Sequence, residues 1–247
     1  MMNTANAEDT PTAGHDIAFF GTVALVLTIA AVLTIHGCQS MSMPWMRMPG
    51  QTWPGVAAGF IGMWMAMMVA MMLPSQLPVL WRYRRALHRA GETRLGPLTT
   101  LMSAGYFAVW SAAAMPAFAL GIALAAIPAR IPTAAVVLLI SGLLQLTGWK
   151  ARQLACCRAA PGHDRTVPVS AGAAWRFGLR HGLHCGYCCS GPTAVLMAVG
   201  IMDLRAMALT TLAITAERLV PDGQRLARAI GIACIMAGLM LIQRSCA

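Results

Sequence analysis

The chain has 247 residues, 58% of them hydrophobic and only 11% charged. Soluble domains carry about a quarter charged residues, so one core cannot hide this much apolar surface, and lipid is its natural solvent. The net charge of +10 does not point to nucleic acid, because the basic residues lie in short loops between apolar runs with no aromatic interleaving; such charges set membrane orientation.

The fold expected is an all-α polytopic transmembrane helix bundle in the bacterial inner membrane, with the lipid bilayer as its first partner. Residues 1–16 read as a polar N-terminal tail, and 17–247 as a single integral membrane helical domain. The first fifteen residues hold Glu8 and Asp9 but no Lys or Arg, so the basic start of a cleavable signal is missing.

About 20 apolar residues span a bilayer. Seven segments approach that length: 17–36, 55–74, 98–127, 132–149, 181–201, 205–219 and 229–243. Six spans are the alternative. The sixth segment is short and is tied to the fifth by Asp203-Leu204-Arg205, so the two form a hairpin that spans with tilt, or one of them is re-entrant. With seven spans, the loops at 82–94, 150–180 and 218–228 share one side and hold fourteen of the eighteen basic residues. The opposite side keeps only Arg47, Arg130, Arg205 and Arg244. This bias predicts an inside N-terminus and an outside C-terminus. Asp203, in an outer turn, reads as a helix cap.

Within the second segment, Met63, Met67 and Met71 form one i, i+4 row, with Met68 and Met72 in a second row beside it. Thioethers suit Cu⁺, although methionine is also a common packing residue. The 36–54 stretch adds Met41, Met43, Met46 and Met48, with His36 and Cys38 nearby. Soft donors placed outside, across the span and inside suggest a route for a soft metal.

The most informative stretch is His181, His184, Cys185, Cys188 and Cys189. At i, i+3, i+4, i+7 and i+8 these residues fall on one helical stripe. Thiolate and imidazole donors suit Cu⁺, Zn²⁺ or iron–sulfur units, not Mg²⁺ or Ca²⁺. Covalent heme needs CxxCH, and here Cys189 follows Cys188 instead of His. Pro192 lacks an N–H and should free the carbonyl of Cys188 one turn back. Cys156 and Cys157 lie in the preceding inner loop and are candidates for further ligands. Glu217 near the end of the sixth segment reads as a ligand, a proton acceptor, or half of an ion pair with Arg218. Gln145 in the fourth segment is a weaker candidate of the same kind.

The WMAMMVAMMLPSQLP and LLQLTGWKARQLACCRAAP stretches and the GLRHGLHCGYCCSGPTAVLMAVGIMDLRAM segment with its later AERLVPDG resemble a bacterial family described as predicted metal-binding integral membrane proteins. The resemblance covers roughly residues 55 to 242. Matching positions are Gly182, Cys185, Cys188, Cys189, Met197, Gly200, Met202, Glu217, Arg218 and Pro221. Ser190 and Asp203 stand where the pattern has Trp and Asn, so no role of those two is carried over. The resemblance implies metal binding and names neither the metal nor a reaction.

The function expected is therefore handling of a copper ion, with a zinc ion second, in transport or delivery at the inner face. The candidate ligands are His181, His184, Cys185, Cys188, Cys189, Cys156, Cys157, Glu217, Met63, Met67 and Met71. A metal chaperone or another membrane subunit is a further candidate partner. A membrane thiol–disulfide protein using Cys185 and Cys188, or a non-catalytic subunit of a membrane complex, are the alternatives. No hydrolase-type set and no phosphate-cradling glycine loop is present, so an enzyme is not indicated.

Overall fold

The computed structural model describes residues 10–40, 52–126, 133–158 and 169–246. Over these the chain is eight helices: α1 (Thr10–Ser40), α2 (Trp53–Arg89), α3 (Leu95–Ala125), α4 (Thr133–Gln145), α5 (Gly148–Arg158), α6 (Ala171–Val199), α7 (Leu204–Leu219) and α8 (Gly223–Cys246). No strand occurs among the described residues. The methionines of the 41–48 stretch lie outside them.

Each of the seven expected segments is helical, but the expectation of seven spans is corrected. Four helices, α1, α2, α3 and α8, are long and apolar enough to cross a membrane. Together α4 and α5 add a fifth only if the pair, bent by 70°, counts as one broken span. The reasons are length and polarity: α7 has 16 residues, and α6 spends its 29 on arginines, histidines and cysteines as well as apolar residues. The alternative of six is corrected on the same ground.

Helix α2 overruns its expected end. Pro74 and Pro78 lie inside it, and it continues through Arg82, Arg84 and Arg85 to Arg89, so most of what read as a basic loop is helix. It starts where Thr52 accepts a hydrogen bond from the Gly55 N–H, a local cap for an otherwise unpaired donor. Ser170 caps α6 and Asp203 caps α7 in the same way, the latter as expected from sequence.

Helix α6 lies against α3 at very close range. A Cβ added at Gly178 would collide with the Met102 carbonyl, and one at Gly182 would meet the Tyr106 carbonyl at 2.8 Å. The four-residue spacing of these glycines lets the two backbones touch, as small residues do between membrane helices. That contact fixes the height of the cysteine stripe on α6, one turn beyond Gly182, against Tyr106 of α3.

Candidate metal centre

Four thiols meet at the centre of the bundle. Cys185, Cys188 and Cys189 come from α6 and Cys157 from α5, and all four are buried in one apolar cluster. The cysteines of this group are free thiols. Cys185 and Cys189, one helical turn apart, place their Sγ atoms 3.9 Å from each other. Tyr106 Oη is 2.9 Å from Cys185 Sγ.

A buried arginine enters this group. Arg218 of α7 donates from Nη2 to Cys185 Sγ at 2.7 Å, to Cys189 Sγ at 3.4 Å and to Cys157 Sγ at 3.9 Å. Its Nη1 donates to Ser75 Oγ at 3.1 Å. One of the three readings of Glu217 from the sequence is an ion pair with Arg218. On a helix, however, adjacent side chains point about 100° apart and do not face each other. Glu217 looks instead toward α4 and α5. It forms a 2.8 Å ion pair with Lys150 and accepts from Gln145 Nε2 at 2.7 Å.

Lys150 completes the support. Its Nζ donates to the Cys188 carbonyl oxygen at 2.6 Å. That is the carbonyl left without an intrahelical donor by Pro192. The freed carbonyl was legible in the sequence, but the lysine that takes it up was not.

The five residues of the stripe do not converge on one point. His181 is buried with its ring near-parallel to Phe177 (centroids 6.4 Å apart) and tilted against Tyr106 (5.5 Å). Its Nε2 has no hydrogen-bond partner among the described residues. His184 is half-buried and shares a 2.8 Å hydrogen bond with Gln153 on α5. Among the described residues, no group of three or more His, Cys, Asp or Glu side chains is arranged to hold one metal ion. The cause is visible: the guanidinium stands among the thiols, and each histidine is turned to an α3 or α5 neighbour.

Cys156 and Cys157, expected in a loop, lie on helix α5; Cys157 is buried and joins the group, whereas Cys156 is exposed. Met63, Met67 and Met71 are buried in the same cluster as the thiols, together with Met68, Met72, Met197 and Met207. Ser75 joins the two regions. It sits one turn past Met71 and Met72 on α2 and receives the Arg218 hydrogen bond. The donors present are thus soft and sulfur-based, and they are shielded from water. The harder groups, Glu217 and Lys150, are occupied with each other.

Buried free thiols backed by thioethers are donors of the kind that suit a soft metal ion. A family model described as copper chaperone, PpoB2, matches residues 61–241, and the chain belongs to that family. No curated protein and no solved structure matches it.

Proposed function

We propose that this protein is an integral membrane protein of the bacterial inner membrane that binds copper, as Cu⁺, through its buried thiols and hands it on in transport or delivery. Zinc is the second candidate. The observation that carries the reading is the meeting of Cys157, Cys185, Cys188 and Cys189 in one apolar cluster with a methionine row. Sulfur donors in a dry site favour a soft monovalent ion over hard divalent ones. The copper-chaperone family agrees with that donor chemistry.

Membrane embedding is supported by what the helices leave uncovered. Helix α1 exposes Leu25, Ile29, Val32 and Leu33, and α8 exposes Ile232, Met236, Leu239 and Met240. Contiguous apolar faces of this extent call for lipid or protein cover. Counting the bent α4–α5 pair as a fifth span brings the basic 82–94, 150–180 and 218–228 segments to one side, which favours an inner-face position for the thiols.

Copper content decides the reading. The purified protein, loaded with Cu⁺ under reducing conditions and desalted, is expected to retain copper. The triple variant Cys185→Ser, Cys188→Ser, Cys189→Ser is expected to lose it. Equal copper in the two proteins would sink the proposal. Membrane fractions washed with alkaline carbonate should keep the protein in the pellet, and its release to the supernatant would refute embedding.

A further inference from the structure

We propose that Arg218 is the specificity-determining residue of the thiol group: its guanidinium is the resident counter-charge for a Cu⁺ ion held between the Cys185 and Cys189 thiolates. This rests on the copper reading above and says which ion the site prefers and why.

The case starts from charge. Arg218 is 7% exposed, and a cation that deep costs several kcal/mol unless an anion balances it. The nearest carboxylate in sequence, Glu217, is taken up by Lys150 and Gln145. That pair is neutral in sum and leaves Arg218 facing sulfur. Its Nη2 reaches Cys185, Cys189 and Cys157 within 3.9 Å. The fixed charge beside the sulfurs is therefore +1. A Cu⁺ ion bound by two thiolates carries −1 in total and cancels it. A Zn²⁺ ion bound by two thiolates is neutral and leaves the guanidinium without a counter-charge.

Zinc could recover the balance with a third thiolate, and the site does not favour it. Three thiolates around Zn²⁺ would also sum to −1. However, no three His, Cys, Asp or Glu side chains among the described residues are arranged for one ion, and zinc sites are almost always four-coordinate. The two sulfurs, 3.9 Å apart, are close enough to share one ion of either metal, so the choice between them falls to charge. Ser75 holds the guanidinium in place. Its hydroxyl accepts from Nη1 at 3.1 Å and donates to the Met72 carbonyl at 2.9 Å, which anchors the charge to α2 independently of any metal. Arg218 touches the ligands rather than the ion, so it sets preference by charge and not by coordination.

The test uses the full-length protein purified in detergent. Cu⁺ affinity is read by competition with bathocuproine disulfonate, and Zn²⁺ affinity by competition with a chromophoric zinc chelator. The wild type is compared with Arg218→Gln and Arg218→Lys. X-ray absorption on the Cu⁺-loaded wild type counts the sulfurs. Two sulfurs and no imidazole nitrogen are expected. Arg218→Gln should lose about ten- to a hundredfold in Cu⁺ affinity, the worth of a hydrogen bond to a charged group, with Zn²⁺ affinity unchanged or raised. Arg218→Lys should recover part of the Cu⁺ affinity. An unchanged Cu⁺ affinity, an equal loss for both ions, or more than two sulfurs around copper would overturn the inference. If Arg218→Gln fails to fold, the sulfur count and the Arg218→Lys preference decide between the same outcomes. A wild type that binds no Cu⁺, or a triple-serine variant that binds it as well, would instead overturn the copper reading itself.

Discussion

Two acid–base pairs in this protein have nearly the same geometry and very different settings. Lys150 and Glu217 meet at 2.8 Å with 5% and 2% of their side chains exposed. Arg94 and Glu92 meet at 3.0 Å in the turn between α2 and α3, where the arginine is 64% exposed. Distance does not rank them. The first pair has been taken out of water and must be complete to be tolerated. The second lies at the surface: the Glu92 side chain is 10% exposed, but its arginine partner stays in solvent, which screens the pair. The buried pair also has work the turn pair lacks. Lys150 holds the carbonyl that Pro192 frees at Cys188, so it ties α5 to the thiol-bearing part of α6.

The largest expected effect follows from breaking the buried pair from one side. Lys150→Met leaves Glu217 charged and unpaired in the core and strips the Cys188 carbonyl of its donor. A loss of about 3–5 kcal/mol is expected, enough to abolish a stable fold for many domains. Thermal melting in detergent measures it. A melting temperature near that of the wild type would show that water reaches Glu217. The double variant Lys150→Met, Glu217→Gln removes both charges and should recover much of the loss, because replacing a whole buried pair is often close to neutral. A double variant as damaged as the single one would assign the cost to the Cys188 carbonyl instead of the ion pair.

The contrast also marks what the amino-acid sequence conveys by itself. Apolar runs located seven of the eight helices, because length and hydropathy act locally; α5, which carries Cys157, is polar and read as part of an inner loop. The spacing of Cys185, Cys188 and Cys189 placed the thiols on one stripe, and Pro192 pointed to a free carbonyl. Two of the residues that complete the site, Lys150 and Arg218, escaped, since a basic residue near the end of an apolar run looks the same whether it faces a loop or a core. An ion pair between Glu217 and Arg218 is one of the three readings that their adjacency in the chain suggests. On the helix they diverge, and each finds its partner on an element whose approach no local pattern encodes. The count of spans failed for a related reason. Seven helical segments are legible in the sequence. Whether a polar helix such as α6 is covered by its neighbours depends on packing, in this case on the α3 contact at Gly178 and Gly182.

Asp203 gives the comparison an intermediate point. Its exposed carboxylate accepts from the Arg205 N–H at 2.8 Å and the Ala206 N–H at 3.2 Å. The donors it satisfies are the unpaired backbone groups at the start of α7. Asp203→Ala should cost about 1 kcal/mol, less than the Lys150 variant and more than a change in the turn pair. Asp203→Ser keeps an acceptor and should recover most of it. If the alanine variant melts with the wild type, the start of α7 is held by packing and not by its cap.

The smallest effect is expected at Glu92, and its pH dependence shows why. The side chain and backbone N–H of Arg94 donate to the Glu92 carboxyl and hold it down at about 2. An unfolded glutamate titrates near 4.3. A depressed carboxylate contributes stability that is complete above the unfolded value and is lost as pH falls toward the folded one. Glu92→Gln should therefore lie slightly below the wild type in melting temperature above about pH 5, by no more than about 2 °C for a solvent-exposed pair. The two melting curves should converge as the pH approaches 2. Added salt should narrow the gap at neutral pH by screening the exposed pair, while leaving the cost of Lys150→Met largely in place. A Glu92→Gln loss as large and as salt-independent as that of Lys150→Met would mean that the turn between α2 and α3 is covered in the folded protein, and the two pairs would then belong to one class.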